Sequence, residues 1–225
     1  MNHQGKNLAL DQGMLHFCSE AQTQIYSPQS NGMKPALIVF AKAPIPGRVK
    51  TRLGLDPDHA VEIHRELVWT TLLEAWSFRE KADLELALDQ PTDCWTDLPI
   101  RRTLQSAGDL GSRIYAALDH ALSRGCPIAV VLGSDSPQLP HSAIEFLLHC
   151  PADVALGPTE DGGYYGIGCR KTAPHMFDGV QWSAATTLRD TMHALERCAL
   201  SCALGPHWFD VDRPEDLERW RGLAP

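Results

Sequence analysis

An abrupt change from apolar to basic residues between positions 36 and 53 constrains the fold more than any other feature of this sequence. The segment Ala-Leu-Ile-Val-Phe-Ala at 36–41 contains β-branched and aromatic residues and no polar ones, which predicts a buried strand. Residues 42–53 then contain two prolines, one glycine and four cations. A buried parallel strand that delivers cations at its carboxyl end is typical of α/β proteins that bind anionic ligands.

The four cations and the glycine of this loop are predicted to bind phosphate: Lys42, Gly47, Arg48, Lys50 and Arg52. The formal net charge of the chain is −8, so this local positive charge needs a local explanation, which a phosphate group provides. The alternative is a solvated loop whose basic residues confer only solubility. It accounts for Lys42, but not for the regular spacing of the next three cations. Lys50 is expected to be solvated and to contribute little to stability.

The composition of the 225-residue chain is typical of one α/β domain and argues against several functional classes. An acidic balance argues against nucleic acid as the main partner, since phosphate backbones require a broad basic surface. The sequence shows neither an apolar run long enough to span a membrane nor a secretory signal. The seven cysteines include no Cys-x-x-Cys pair, which predicts reduced thiols in a cytoplasmic protein. The protein is expected to be a monomer or a homodimer.

The chain divides into an N-terminal extension and one domain. Residues 1–34 are rich in Gln, Asn and Ser and show little periodicity, which predicts a weakly ordered segment. Apolar runs and helical periodicities alternate over 35–225, which predicts an α/β fold with a mostly parallel central sheet and helices on both faces. Strands are expected at 36–41, 83–88, 127–132, 153–156 and 164–169. A helix is expected to begin at 56–57 and to carry apolar positions between 61 and 76, and further helices are expected at 110–122, near 143–149, at 186–198 and at 214–220.

The first of three acidic clusters is Gly-Ser-Asp-Ser-Pro at 133–137, directly after a fully apolar strand. The glycine lets the chain turn and Pro137 prevents the strand from continuing, so Asp135 lies at the carboxyl end of that strand. A carboxylate there can hold Mg²⁺, which prefers one or two carboxylates together with phosphate oxygens. The alternative is that Asp135 caps the next helix, but the residues around Pro140 are better placed to begin that helix.

The second cluster, at 157–165, contains a Glu-Asp-Gly-Gly-Tyr-Tyr sequence. Asp161 is a candidate general base or orienter of an acceptor hydroxyl. Gly162 and Gly163 allow close backbone approach to a ligand, and Tyr164 can stack on, or hydrogen-bond to, a sugar or base. The alternative is an ordinary Asp-Gly hairpin turn followed by a strand.

The third cluster lies at 209–217, where Asp212 and Glu215 fit a helical capping box. Asp210 has no capping role in that scheme and is therefore the freer candidate metal ligand, with Asp212 as the alternative. The segment 108–113 is a weaker signal, in which Arg113 is a candidate anion-binding residue. Helix initiation alone explains Asp109. The sequence has no P-loop and no Gly-x-Ser-x-Gly elbow, which argues against P-loop NTPases and α/β-hydrolases.

Together these motifs resemble a bacterial family of initially uncharacterised proteins in the GT-A, or nucleotide-diphospho-sugar transferase, superfamily. Some members of that family are labelled as arsenosugar-biosynthesis glycosyltransferases. The resemblance covers about residues 35–217. The segments that carry it are Phe-Ala-Lys-Ala-Pro at 40–44, Pro-Gly-Arg-Val-Lys-Thr-Arg-Leu at 46–53, Gly-Asp-Leu-Gly at 108–111, the cluster at 133–137, Gly-Pro-x-Glu-Asp-Gly-Gly-Tyr-Tyr at 157–165, and Asp-Val-Asp-x-Pro-Glu-Asp-Leu at 210–217.

The resemblance implies a Rossmann-like GT-A fold that binds a nucleotide diphosphate with Mg²⁺ or Mn²⁺. The expected activity is metal-dependent glycosyl transfer from a nucleotide-diphospho-sugar to a small-molecule acceptor. A nucleotidyltransferase acting on an NTP and a phosphorylated small molecule is the alternative, and a catalytically silent nucleotide-binding protein is a third. Trp182 is expected to contact substrate. The family usually has Trp-Ser-Thr where this chain has Trp182-Ser183-Ala184, which leaves the acceptor preference open.

Overall fold

The predicted alternation of strands and helices is present in a computed structural model that describes residues 32–223. The strands in these residues are β1 Ala36–Ala41, β2 Asp83–Leu88, β3 Arg101–Leu104, β4 Ala129–Gly133, β5 Val154–Pro158, β6 Tyr164–Cys169 and β7 Cys202–Leu204. The helices are α1 Pro57–Trp76, α2 Leu110–Ser123, α3 His141–His149, α4 Thr187–Arg197 and α5 Pro214–Gly222, with a 3₁₀ turn at Thr51–Leu53. The extension predicted for 1–34 lies outside the described residues, apart from its last three positions.

Within the described residues, the seven strands form one sheet in the order β3-β2-β1-β4-β6-β5-β7. Strand β6 runs antiparallel to β4 and β5, and the other neighbouring pairs are parallel. The carboxyl ends of β1, β2, β3 and β4 therefore meet at one edge of the sheet. The prediction of a mostly parallel α/β sheet is confirmed.

The core consists of two apolar layers, because strand β1 is buried on both faces. Leu37 and Val39 pack on one face with residues of α1 and α3. Ile38 and Phe40 pack on the other face with residues of α2 and α4. This arrangement explains why 36–41 is apolar throughout rather than alternating. A third cluster joins the 3₁₀ turn to α1 and α5 and anchors the end of the basic loop.

Several element boundaries differ from the predicted ones for identifiable reasons. Strand β4 begins at Ala129 rather than at Pro127, which has no N–H for the sheet. The predicted capping box at Asp212 and Glu215 is wrong by one residue. Arg213 is the N-cap and Asp216 completes the box, because Pro214 takes the first helical position.

Two further properties concern the described residues as a whole. No helix in residues 32–223 is both long and apolar enough to cross a membrane. The six cysteines in this part of the chain are not paired in disulfides, and Cys18 lies outside it.

Candidate active site

The basic loop begins where β1 ends, and two side chains from other elements hold its first residues. His64, which is buried on α1, places Nε2 2.9 Å from the carbonyl oxygen of Lys42. The backbone N–H of Ala43 donates to Oδ1 of Asp89 at 2.7 Å. Burial lowers the pKa of His64, and the hydrogen bond to Lys42 offsets only part of this effect. A neutral imidazole therefore fixes the start of the loop.

Lys50 is paired with carboxylates. Its Nζ atom lies 2.7 Å from Oδ1 of Asp135 and 3.6 Å from Oδ1 of Asp212, and it donates to the carbonyl oxygen of Val211 at 2.6 Å. The side chain is only 3% exposed, so the expectation of a solvated lysine is wrong. Its backbone is left-handed, with φ of +49°, which is uncommon for a residue with a side chain. Lys50 thus links the basic loop to the acidic segments.

The other predicted cations line a cavity of about 470 Å³, which we call the basic cavity. Lys42, Arg48, Arg52 and Arg113 all contribute to its wall. Nε of Arg113 donates to the carbonyl oxygen of Gly108 at 2.9 Å, which fixes the orientation of the guanidinium. Gly47 turns the loop with φ of +73° and does not line the cavity. The basic cavity is thus lined by Arg113 and by every predicted basic-loop residue except Gly47.

The predicted acidic residues also come together. Asp135 follows β4, and its carbonyl oxygen accepts the N–H of Val211 at 2.8 Å. That bond brings Asp210 and Asp212 to the carboxyl edge of the sheet beside Asp135. These aspartates and Asp161 line a second cavity of about 230 Å³, which we call the aromatic cavity.

The two cavities adjoin, and they share Asp135, Asp212 and Arg52.

The charges at this junction affect one another strongly. Burial alone would raise the pKa of Asp135, but the ammonium of Lys50 outweighs it and holds that pKa below its ordinary value. For Asp210, burial and the neighbouring charges of Asp161, Asp212 and Asp135 raise the pKa to about 7. At this junction four carboxyl groups thus outnumber the two cations that pair with them, Lys50 and Arg52.

This donor set suits a hard divalent cation. Carboxylate oxygens are the ligands that Mg²⁺ prefers, and an excess of carboxylates favours a bound cation. In residues 32–223, no three His, Cys, Asp or Glu side chains are already arranged as a metal-binding group. A site of one or two carboxylates completed by phosphate oxygens needs no such group. The aspartates are therefore compatible with a divalent metal ion that binds together with a nucleotide.

Asp161 lies in the turn between β5 and β6. Its Oδ1 accepts from Oγ1 of Thr159 at 2.6 Å and from the N–H of Gly163 at 2.9 Å. The hairpin interpretation is therefore confirmed for the backbone, while the side chain still lines the aromatic cavity. A Cβ on Gly162 would lie 2.2 Å from the carbonyl oxygen of Ala185. Gly162 thus serves backbone packing and does not line the cavity, whereas Gly163 does.

The aromatic cavity receives rings rather than tyrosine hydroxyls. Tyr164 and Trp182 meet edge to face, with ring centroids 6.3 Å apart. The hydroxyl of Tyr164 is buried next to Thr191, and that of Tyr165 donates to the carbonyl oxygen of Pro206. The structure therefore brings Tyr164 and Trp182 into the site as apolar walls. Ala184, the departure from the family pattern, lines the same cavity.

Sequence reasoning did not identify His64, Asp89 or Gln105, all of which line the basic cavity. Asp89 and Gln105 are the first residues after β2 and β3, and this position at the ligand edge was an available signal. Nε2 of Gln105 donates to the carbonyl oxygen of Ala87 at 3.0 Å. No local signal distinguishes His64 from a core histidine on the apolar face of a helix.

Comparison with known proteins gives one strong family match. Residues 60–184 match a family described as an uncharacterised protein conserved in bacteria (DUF2064). A solved structure from Desulfovibrio desulfuricans G20, described as a candidate nucleotide-diphospho-sugar transferase, is 34% identical to this chain. The alignment covers 80% of this chain and 83% of that one, with a TM-score of 0.70. None of the curated proteins matches this chain.

More distant structures share the fold. A CMP:2-keto-3-deoxy-manno-octonic acid synthetase complexed with CTP has a TM-score of 0.56 at 13% identity, over 84% of this chain and 98% of that one. The inositol-1-phosphate CTP transferase from T. maritima also has a TM-score of 0.56 at 13% identity, over 83% and 92% of the two chains. At this identity the likeness concerns the fold alone.

Proposed function

Since this chain belongs to the DUF2064 family and its fold is that of the GT-A-like nucleotide-diphospho-sugar transferase superfamily, we propose that it is a metal-dependent glycosyltransferase. In this proposal it transfers a sugar from a nucleotide-diphospho-sugar to a small-molecule acceptor. The relative at 34% identity supports the donor class, because it is itself described as a candidate enzyme of that kind.

The observation that carries the proposal is the pair of adjoining cavities. The basic cavity offers four cations at the carboxyl edge of the sheet, which suits a nucleoside diphosphate. The aromatic cavity offers a carboxylate and ring surfaces, which suit the group being transferred and its acceptor. The two spaces meet at Asp135, Asp212 and Arg52, where the bond between diphosphate and sugar would lie.

The basic loop binds the donor in this scheme. Arg48 and Arg52 hold phosphate oxygens, bidentately where the geometry allows, and Lys42 and Arg113 add charge at the rim. Asp135, with Asp210 or Asp212, would hold Mg²⁺ or Mn²⁺, which would neutralise charge on the departing nucleoside diphosphate. Lys50 holds the carboxylates of Asp135 and Asp212 in place, and its ammonium favours the ionised form of Asp135.

Asp161 acts on the acceptor. The acceptor hydroxyl oxygen forms a bond to the anomeric carbon, and the bond from that carbon to the phosphate oxygen breaks. The electron pair leaves with the nucleoside diphosphate, and the hydroxyl proton passes to Asp161. Thr159 and Gly163 fix Oδ1 of this carboxylate, so its orientation does not depend on the substrate.

Nucleotidyl transfer remains the second candidate, because the same cations that suit a nucleoside diphosphate can also hold a longer phosphate chain. Lys42, Arg48, Arg52 and Arg113 line the basic cavity, which is enough for a triphosphate. In that reaction a phosphate oxygen of the acceptor attacks the α-phosphorus of the NTP, and the bond from that phosphorus to the bridging oxygen breaks. Pyrophosphate leaves with the electron pair.

The leaving group separates the two reactions. Wild-type protein is incubated with Mg²⁺ and, in separate series, with UDP-, GDP-, ADP- and dTDP-sugars or with the free NTPs, alone and with a mixture of candidate acceptors. ³¹P NMR then identifies the released species. Glycosyl transfer releases a nucleoside diphosphate, whereas pyrophosphate release would replace the proposal by the second candidate.

A variant of Asp161 tests its assigned role. Asp161→Asn retains an oxygen for Thr159 and Gly163 and so preserves the turn. We expect unchanged donor binding and a loss in kcat of about 10²–10⁴-fold, the usual contribution of a general base. Arg48→Ala is the counterpart and should weaken donor binding instead. An Asp161→Asn enzyme with wild-type kcat would contradict the assignment.

A further inference from the structure

The aromatic cavity differs from the basic cavity in the sign of its charge. Among the described residues, its ionisable lining consists of four aspartates and Arg52. Arg52 is already paired, with Nη1 3.4 Å from Oδ2 of Asp212. Lys42, Arg48 and Arg113 line only the other cavity, and so does Lys50, although its ammonium pairs with Asp135 and Asp212. Four aspartates therefore face two cations. The space assigned to the acceptor is therefore electronegative at its mouth.

The deeper walls of the same cavity are apolar. They are formed by β1, α2, β4, β6 and the turn before α4, through Phe40, Ile114, Val131, Tyr164, Ile167 and Trp182. Tyr164 contributes its ring, since its hydroxyl is buried beside Thr191. Ala184 adds a methyl group where α4 begins. Such walls stabilise an apolar group and leave the hydroxyls of a polar one without partners.

We infer that the acceptor has an apolar body with an uncharged or cationic head group, and that phosphorylated acceptors are rejected. The inference rests on the proposed function, because it assigns the acceptor to the aromatic cavity. The apolar body would lie between Ile114 and Trp182, with the head group at the aspartates. A dianionic phosphate at that position would face like charges, which weakens its binding.

A bound metal does not reverse this preference. A nucleoside diphosphate brings two or three negative charges, and Mg²⁺ brings two positive ones. The donor complex therefore adds no net positive charge to the site as a whole. The ion would neutralise only the two carboxylates that hold it, and Asp161 would remain beside the head group. The head-group preference should hold both with and without Mg²⁺ and nucleotide.

Three probes that share one ring and differ only in head-group charge test the inference: benzylamine, benzyl alcohol and benzyl phosphate. Their dissociation constants are measured by ligand-observed NMR on the wild-type protein with a saturating nucleoside diphosphate in the basic cavity, which keeps benzyl phosphate out of it, and in the presence of either Mg²⁺ or EDTA. We expect benzylamine and benzyl alcohol to bind at least about tenfold more tightly than benzyl phosphate. Benzyl phosphate binding as tightly as benzylamine would overturn the inference.

Two matched variants locate the binding. Ala184→Leu fills the cavity, whereas Ala185→Leu adds the same volume at the neighbouring exposed position. We expect probe binding to be lost in the first variant and retained in the second. Asp161→Asn removes one charge at the mouth and should narrow the gap between benzylamine and benzyl phosphate several-fold. Probe binding that survives Ala184→Leu would overturn the inference.

Nucleotide binding separates this inference from the proposed function. Ala184 does not line the basic cavity, so Ala184→Leu should still bind a nucleoside diphosphate, which also shows that the variant is folded. The order of the three affinities is measured on the wild type and does not depend on that variant. Nucleotide binding without binding of any probe would overturn the inference alone. Failure of every nucleotide to bind would overturn the proposed function.

Discussion

Lys50 is the residue on which the geometry of the site depends most. One ammonium group contacts the carboxylates of Asp135 and Asp212 and the carbonyl of Val211, which lie on segments far apart in the sequence. Breaking a buried ion pair leaves its partner charges uncompensated, and this is more costly than losing a surface pair. Lys50 therefore combines a structural role with its electrostatic one.

Lys50→Ala should lower the free energy of unfolding by roughly 1–3 kcal/mol, less than for a fully buried pair because Asp135 is partly exposed. Urea denaturation measures this change. Lys42→Ala, at an exposed position of the same loop, serves as the control and should leave stability within about 0.5 kcal/mol of the wild type. Equal stabilities for the two variants would show that the ion pair contributes nothing.

Glu74 makes stability depend on pH. Burial raises its pKa to about 8, and hydrogen bonds from the backbone of Leu139 and Gln138 offset only part of this. The folded state therefore binds this proton more tightly than the unfolded state. The contribution to stability is complete below pH 4.5 and is lost as the pH rises through 8.

Glu74→Gln should remove this loss. We expect the variant to gain stability over the wild type as the pH rises from 5 to 8, by a few kcal/mol at the upper end. Unfolding titrations in urea at several pH values measure the difference. A difference that is constant over that interval would contradict the assignment to Glu74.

Among the elements, α5 connects the turn that carries Asp161 to the rest of the fold. Arg219 forms two hydrogen bonds with Glu160, at 2.7 and 3.0 Å, and its guanidinium lies 4.1 Å from the ring centre of Phe209. Arg221 forms a similar pair with Glu66 on α1, at 2.6 and 2.8 Å. The two arginines therefore provide a matched comparison, since only one contacts the turn.

Arg219→Ala and Arg221→Ala should each lower stability by about 0.5–1 kcal/mol, as expected for surface ion pairs of good geometry. Only Arg219→Ala should increase hydrogen exchange at the amides of 160–163 and lower kcat. Hydrogen exchange followed by mass spectrometry measures the local effect. Equal exchange at 160–163 in both variants would show that α5 does not hold this turn.

The turn itself depends on Gly162, whose φ of +89° and close approach to Ala185 exclude a side chain. Gly162→Ala should cost roughly 1–3 kcal/mol more than Gly47→Ala, because overpacking adds to the backbone strain that both share. Gly47 has φ of +73° and open space around it, so only strain applies there. Thermal unfolding of the two variants compares them. Equal losses would contradict the packing argument.

For the molecule as a whole, sequence reasoning identified the sheet and its ligand edge because the central strands are continuous apolar runs. It missed β3 and β7, which are edge strands with exposed or partly exposed residues. β3 is mostly polar, and β7 has only three residues, too few for a recognisable strand pattern. The candidate site residues at strand ends could be predicted from the sequence, since strand direction fixes where they lie. His64 could not be predicted, because its role depends on how α1 packs against the basic loop.

In this account, the basic cavity and the aspartates at the carboxyl edge of the sheet together bind one metal–nucleotide complex. Isothermal titration of UDP, GDP, ADP and dTDP into the wild type, with Mn²⁺ or EDTA, tests it most directly. Asp135→Asn is the test variant, and Asp97→Asn, exposed and outside both cavities, is its control. We predict that at least one nucleotide binds more tightly with Mn²⁺, and that Asp135→Asn alone removes this gain. Equal dissociation constants for Asp135→Asn and the wild type in Mn²⁺ would contradict the claim.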